Sequence, residues 1–163
     1  MAVEDKYANS LVEAGKKVKA ALASGATEVT MINTVEIAAA DDDGSVYRFF
    51  SSVPSNLIPT EITITCDAIT GGTDYDLGLY KVASGAVVDK DVLMDGQTLG
   101  SALTRANGHQ LGLANVNIAD ATKTLAALSA QTDPDACYDI ALTANTVGSG
   151  AGTVTIIAKF VQG

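Results

Sequence analysis

Residues 153–161 have the sequence TVTIIAKFV, which indicates the local structure more clearly than any other part of the chain. The apolar residues at every second position are Val154, Ile156, Ala158 and Phe160. Successive side chains of a β-strand point to opposite faces of the sheet, so this stretch has one apolar face. The alternation predicts a β-strand whose apolar face covers a core.

The same pattern extends outward from this stretch over most of the chain. From about residue 28 onward, short runs rich in Val, Ile, Thr and Tyr alternate with clusters of Gly, Asp, Asn and Pro. The predicted strands are 29–40, 45–53, 61–68, 75–82, 86–93, 111–118, 136–145 and 153–161. Eight strands without long helices between them predict an all-β fold, an antiparallel two-sheet sandwich that is jelly-roll-like.

Clusters of Gly, Pro and Asp mark the predicted connections between these strands. Residues 41–44 are Asp-Asp-Asp-Gly and predict a turn, whereas Pro54 and Pro59 bracket a predicted loop because proline cannot donate to a strand ladder. The glycine-rich run at 147–152 predicts a flexible hairpin loop between the last two strands. Residues 119–131 are rich in Ala and Leu, which favours a short helix.

Residues 1–25 differ from the remainder in charge and are predicted to form an N-terminal arm or short helix, with the β-sandwich domain at 26–163. The arm has a net charge of +1 and the whole chain has a net charge of −9, so residues 26–163 carry −10. Its apolar residues are Val3, Tyr7, Leu11, Val18 and Leu22. Their spacing permits an amphipathic helix, while Gly15 and the basic run at 16–19 fit an extended arm equally well.

Composition excludes several classes of function. The net charge of −9 argues against a nucleic-acid surface, because phosphate binding needs clustered Lys and Arg. Aromatic residues make up only 5% of the chain and there is no Trp, so the core is built mainly from aliphatic side chains. No run is apolar enough to span a bilayer, and no signal-peptide pattern is present, which predicts folding in a cytoplasm.

The two cysteines are predicted to remain unpaired. Cys66 shares a strand face with Ile62 and Ile64, so its thiol should point into the core. Cys137 shares a face with Asp139 and should point away from the core. Thiols on opposite sides of a sheet do not meet, and reduced cysteines are the norm in a reducing compartment.

Residue patterns for catalysis or metal binding are weak. His109 is the single histidine and lies in a polar stretch that predicts an exposed loop, so neither a Ser–His–Asp triad nor a His-rich zinc site is expected. Residues 41–44 resemble a calcium-loop fragment, but two ligand positions would be apolar. The carboxylate pairs at 74–76 and 89–91 are interpreted as a solvated strand face. We therefore expect a protein that is not an enzyme and has no cofactor or metal site, while a weak divalent-ion site formed by loop carboxylates stays open as an alternative.

Two stretches in the middle of the chain carry a resemblance to a known family. They are TVEIAAADDDGSVYRF at 34–49, and CDAITGGTDYDLGLY at 66–80 followed by GAVVDKD at 85–91. These stretches are similar to those of structural proteins of phage heads. Over roughly residues 9–100 the chain resembles a head decoration protein of tailed bacteriophages, which is also termed a cement or capsid-stabilising protein.

The resemblance implies a structural virion protein with no catalytic residues. Such a protein is made in the host cytoplasm, binds the outer surface of the capsid and stabilises the lattice of major capsid subunits. The implied partners are the major capsid protein and, in a homotrimer, two further copies of the chain, with neither nucleic acid nor a membrane. Two alternatives stay open, namely another virion or appendage component such as a tail or fibre base, and a carbohydrate-binding module.

The N-terminal arm supplies the candidate partner-binding residues. Lys16, Lys17 and Lys19 give the arm most of its positive charge. We expect them to face acidic groups on the partner surface, because opposite charges guide and hold such contacts.

Overall fold

The computed structural model describes residues 5–7, 12–13, 16–17, 28–104, 109–111 and 122–162, with side chains for 28–104 and 122–162. The strands are β1 (Asp5–Tyr7), β2 (Val12–Glu13), β3 (Lys16–Lys17), β4 (Glu28–Ile37), β5 (Ser45–Pro54), β6 (Leu57–Cys66), β7 (Asp74–Lys81), β8 (Val87–Gln97), β9 (His109–Leu111), β10 (Cys137–Thr146) and β11 (Gly152–Gln162). One short helix, α1 (Leu125–Leu128), lies within these ranges. No helix in the described part of the chain is long and apolar enough to cross a membrane.

Strands β4 to β11 form two antiparallel sheets packed face to face. One sheet has the strand order β4-β11-β6-β9, and the other has the order β5-β10-β7-β8, with β1 added in parallel at its β5 edge. From β4 to β7 each successive strand lies in the opposite sheet, and the first and last of the eight strands are neighbours. This arrangement is the double Greek key of a jelly roll, so the predicted fold class is confirmed.

The core lies between the two sheets and is filled as the alternation predicts. On β11 the buried positions are 152, 154, 156, 158 and 160. The aromatic side chains within residues 28–104 and 122–162 are all buried; they are Tyr47, Phe49, Phe50, Tyr75, Tyr80, Tyr138 and Phe160. Since aromatic side chains bury the largest areas, this use of every described ring compensates for their low number.

Two predicted connections differ from the structure. The run at 147–152 is not a hairpin loop, because β10 and β11 lie in different sheets and the run crosses between them. The predicted loop from Pro54 to Pro59 is also wrong, since β5 ends at Pro54 and β6 begins at Leu57. Pro59 lies inside β6 next to a register shift, where a ladder tolerates proline.

The predicted helix at 119–131 is shorter than expected. The side-chain oxygen of Thr124 accepts a hydrogen bond from the backbone N–H of Ala127 at 3.3 Å and caps α1, which ends at Leu128. The first residues of the predicted helix, 119–121, lie outside the described residues. The same holds for 112–118 of the predicted strand 111–118, of which only Leu111 is described, as the last residue of β9.

The cysteines have the exposures that strand alternation predicts. Cys66 is buried and Cys137 is half-buried, and both thiols are free. Burial raises the pKa of the Cys66 thiol, with Asp67 adding to the effect. Buried and uncharged, Cys66 acts here as a small core residue.

The described parts of the N-terminal arm are extended. β1 pairs with β5 in parallel, Asp5 lying opposite Val46, and β2 pairs with β3 in an antiparallel ladder of two residue pairs. The other residues of 1–25 lie outside the described residues, so the alternative of a helix is untested there. The domain boundary between residues 25 and 26 stays a prediction.

Candidate functional site

A sandwich has two outer faces, and in this protein they differ sharply. On strands β5, β10 and β7, the residues that alternate with core residues form the outer face of their sheet. We name this outer face the covered face. Its members are Arg48, Asp76, Tyr80, Asp139 and Thr143. Arg48 and Asp139 are each only 1% exposed although both carry charge. Charged side chains are almost never so deeply buried unless they are paired. Because both side chains lie on an outer face of the sheet, another part of the chain must cover them.

Part of β8 provides that covering element. Leu77 pairs with Met94 whereas Leu79 pairs with Asp89, so the β8 side of the ladder has three more residues than the β7 side. The extra residues pass over Gly78, where an added Cβ would overlap the backbone of Asp89 and Lys90. Glycine at 78 therefore allows the β8 backbone to lie directly on the sheet.

Arg48 is at the centre of the covered face. Its Nη1 lies 3.6 Å from Asp139 Oδ2, and its Nη2 donates a hydrogen bond to the carbonyl oxygen of Gly85 at 3.2 Å. Its Cζ lies 5.1 Å from the centre of the Tyr80 ring, which is cation–π distance. The Tyr80 hydroxyl is hydrogen-bonded to the Thr143 hydroxyl, and burial raises the pKa of Tyr80.

Asp139 is held by further donors from β5. Its Oδ1 accepts hydrogen bonds from Ser51 Oγ at 2.8 Å and from the Ser52 N–H at 2.9 Å. Ser52 has a φ of 56°, a left-handed conformation that few non-glycine residues adopt. The bond to Asp139 fixes the Ser52 backbone, so the buried carboxylate also shapes β5.

A second group of polar side chains on this face is built around an ion pair between Asp76 and Lys90. Lys90 Nζ lies 3.1 Å from Asp76 Oδ2 and donates to Asn145 Oδ1 at 2.8 Å. Asp76 Oδ1 accepts from the Gly96 N–H at 2.9 Å. The interpretation of residues 74–76 and 89–91 as a solvated face is therefore wrong for Asp76, which is 2% exposed. Asp74, Asp89 and Asp91 are half-buried.

The pKa of Asp76 gives this group a pH signature. Burial raises the pKa of Asp76, but hydrogen bonds from the Gly96 N–H, Asn145 and Lys90 outweigh burial and leave it below its usual value. A lowered carboxyl pKa contributes stability that is present above about pH 4 and is lost as the pH falls through the folded-state pKa. Asp89 acts in the opposite direction, because burial and Asp91 raise its pKa.

We expect Asp76→Asn to destabilise the protein at pH 7 and to matter progressively less as the pH falls towards 3. Asp89 is present in both proteins, so its contribution cancels in the difference in unfolding free energy between wild type and variant. Urea unfolding followed at several pH values measures this difference. A difference that stays constant from pH 7 to pH 3 would show that Asp76 does not contribute as a carboxylate.

The acidic turn at 41–44 has a structural role. The buried Asp41 accepts hydrogen bonds on Oδ2 from the Ala38 N–H and from the Tyr47 hydroxyl, both at 2.9 Å. Asp43 Oδ1 accepts from the Val147 N–H at 2.9 Å and so connects this turn to the 147–152 crossing. Within residues 28–104, 109–111 and 122–162, no three His, Cys, Asp or Glu residues gather closely enough to hold a metal ion.

The outer face of the β4-β11-β6 sheet is open by contrast, and we name it the open face. Its outward residues are Glu28, Thr30, Ile32, Thr34, Glu36, Glu61, Thr63, Thr65, Thr153, Thr155, Ile157, Lys159 and Val161. β4 and β11 pair over ten consecutive residues without a register shift. Ile32 is 56% exposed and lies directly opposite the half-buried Ile157. This sheet therefore presents a regular surface of Thr, aliphatic and a few charged side chains.

Hydrogen bonds hold the side chains of the open face in place. The hydroxyl groups of Thr34 and Thr155 are 2.8 Å apart, and Thr153 Oγ1 donates to Glu36 Oε1 at 2.9 Å. Lys159 Nζ forms an ion pair with Glu61 Oε2 at 2.8 Å. That hydrogen bond and the opposite charge lower the pKa of Glu61 and raise the pKa of Lys159. Ordered side chains lose less entropy when a partner binds.

A cleft of about 300 Å³ lies at one end of the open face. Its lining residues are Thr65, Cys66, Asp67, Ala102, Leu103, Thr104, Thr153 and Thr155. Leu103 closes one side by pairing with Cys66, since the N–H of each donates to the carbonyl oxygen of the other at 2.8 and 2.9 Å. Threonine side chains form half of the lining, so the cleft continues the polar character of the face.

The residues singled out from sequence are not brought together into a catalytic or metal-binding site within the described part of the chain. Lys16 and Lys17 form β3, whereas Lys19 lies outside the described residues. His109 belongs to β9 and pairs with Ile64, so the prediction of a loop position is wrong. The open face itself was missed, although outward Thr and Ile residues in 153–161 were its signal.

Chains in solved structures of phage capsids align with this chain over most of its length. A chain of the capsid of Ralstonia phage GP4 has a TM-score of 0.59 and 13% sequence identity, with 96% of this chain and 97% of that chain covered. A chain of the cyanophage Pam1 capsid asymmetric unit has a TM-score of 0.47 and 14% identity, with 91% and 94% covered. No family model and no curated protein matches the sequence. The first likeness shows that a chain of the GP4 capsid shares the jelly-roll sandwich.

Proposed function

We propose that this protein is a structural virion protein, a decoration protein that binds the outer surface of a phage capsid and stabilises its lattice. The observation that carries the proposal is the fold shared with a chain of the GP4 capsid over nearly the full length of both chains. The resemblance of residues 34–49, 66–80 and 85–91 to phage head proteins points the same way. In this role the protein is made in the host cytoplasm and performs no catalysis.

The structure of the two outer faces supports a binding role. The covered face buries its charges beneath β8, whereas the open face leaves an ordered surface exposed. A protein that attaches to a lattice benefits from a surface whose side chains are already ordered, because binding then costs less entropy. A sheet with hydrogen-bonded side chains provides such a surface. The partner in this proposal is the major capsid protein.

The proposal includes a homotrimer. Closed cyclic symmetry lets one pair of patches serve every subunit contact, and three linked copies bind a lattice more tightly than one copy does. Light scattering coupled to size exclusion measures the mass of the free protein. We expect a mass near three times 16.6 kDa. A monomer at high micromolar concentration that also occupies heads as isolated single copies would contradict the trimer.

The N-terminal arm is proposed as one contact with the partner, through Lys16, Lys17 and Lys19. Since β1 pairs with β5, removing the arm would also strip a strand from the sheet, so charge reversal is the better test. We expect Lys16→Glu, Lys17→Glu and Lys19→Glu together to weaken attachment, and to do so less as salt rises. The control is Lys81→Glu, a half-exposed lysine on the body. Equal weakening by both changes would overturn the role of the arm.

The decisive binding experiment uses purified heads of the parent phage that lack this protein. We expect the added protein to saturate the heads and to raise the temperature at which they break open, because a ligand that binds only the intact lattice stabilises it. Binding to isolated tails instead would favour an appendage component. Binding to glycans with no binding to heads would favour a carbohydrate-binding module.

A further inference from the structure

The open face has the anatomy of a protein–protein contact. Its centre is aliphatic, with Ile32 56% exposed and paired across the strands with Ile157. Charged residues lie towards its ends, where Glu36 pairs with Thr153 and Glu28 pairs with Val161. An apolar centre with a polar rim is typical of the surfaces that proteins use to bind one another.

The size of the open face limits what it can bind alone. Three strands about 4.8 Å apart and nine residue steps of about 3.3 Å give an area of roughly 400 Å². A stable contact between two free proteins buries about 800 Å² on each side. The open face is therefore too small for a stable dimer, but it suits a contact that is repeated many times on a lattice.

The charges of the face select the class of partner. Strands β4, β6 and β11 contain Glu28, Glu36 and Glu61 but only one cation, Lys159, which is paired with Glu61 at 2.8 Å. A second copy that docked through the same face would bring these carboxylates against each other. Juxtaposed like charges disfavour such a contact, whereas Lys or Arg side chains on a different protein would complement it.

We propose that the open face binds a protein surface of the capsid lattice that has an apolar centre surrounded by Lys or Arg side chains. The inference rests on the proposed function, since it names the surface through which this protein contacts the capsid. Ile32 and Ile157 fill the centre of the contact, and Glu28 and Glu36 meet the basic side chains at its rim. The contact differs in charge from that of the arm, whose lysines face acidic groups.

The test compares two exposed aliphatic residues on opposite sheets. Ile32 and Val87 are both 56% exposed, but Val87 begins β8, outside the open face. Ile32→Lys and Val87→Lys are each added to heads of the parent phage that lack this protein, and their affinities are compared with that of the wild type. The double variant Glu28→Lys/Glu36→Lys tests the charge of the rim. Melting curves and light scattering establish that each variant is folded and has the wild-type mass.

We expect Ile32→Lys to weaken binding at least tenfold, since a charge in the centre of a contact removes its apolar packing and meets like charge. The double variant should weaken binding as well, and Val87→Lys should bind as the wild type does. Wild-type affinity for Ile32→Lys would overturn the inference and leave the proposed function intact. Failure of the wild type itself to bind heads would overturn both. A reduced mass of free Ile32→Lys would assign the face to contacts between copies and overturn the inference.

Discussion

Replacing Arg48 with methionine is expected to lower the free energy of unfolding by about 3–5 kcal/mol, the cost of breaking a buried ion pair by removing one partner. Arg48 is 1% exposed, and its loss leaves the equally buried Asp139 without its cation at 3.6 Å. The two hydrogen bonds to Asp139 from Ser51 and Ser52 remain, but they do not neutralise the charge. Urea unfolding at neutral pH measures the loss.

The control for Arg48 removes both charges together. In Arg48→Met/Asp139→Asn, the amide oxygen still accepts from Ser51 and Ser52, while no uncompensated charge stays buried. The double variant should therefore be more stable than Arg48→Met alone, because replacing a whole buried pair is often nearly neutral. If Arg48→Met costs less than about 1 kcal/mol, the pair does not hold the covered face together.

Gly78→Ala is expected to destabilise the protein by about 1–3 kcal/mol or more, the usual range for overpacking. The new methyl group would overlap the backbone of Asp89 and Lys90, which cannot move aside as a flexible side chain can. The β8 segment would have to lift from the covered face and draw Lys90 away from Asp76. Thermal unfolding measures the loss, and a weaker pH dependence of stability reports the displaced Lys90.

Gly100→Ala is the matched control for Gly78→Ala. The nearest atoms to an added Cβ at Gly100 are 3.6 Å away, which is ordinary van der Waals distance. An exposed substitution of this kind usually changes stability by less than about 0.5 kcal/mol. Similar losses for the two variants would show that the close approach of β8 to Gly78 has no special energetic role.

The fold could be predicted because strand alternation is a local signal. The pattern of residues 153–161 gave β11 and its buried face, and eight such runs gave the sandwich. The errors arose where the outcome depends on distant residues. A glycine-rich run such as 147–152 signals a turn, but it does not determine whether the next strand joins the same sheet. The position of that crossing depends on the hydrogen bond from the Val147 N–H to Asp43 and on packing against the opposite sheet.

The candidate site was less accessible from sequence for a similar reason. Alternation places Asp76 on an outer face, and outer faces are usually solvated. Three extra residues in β8 cover this one, and a bulge of that kind has no clear local signature. For the open face, by contrast, strand alternation correctly predicts which Thr and Ile residues point outward. Their exposure follows only from the absence of a covering segment among the described residues.

Electron microscopy of the parent virion would locate this protein on the phage particle. We predict density for this jelly-roll sandwich on the outside of the head, at three-fold and quasi-three-fold positions of the lattice. The face formed by β4, β11 and β6 should be turned towards the capsid, with Ile32 near the centre of the contact. Heads that carry no such density, or density found only in the tail, would contradict the assignment of this protein to the capsid surface.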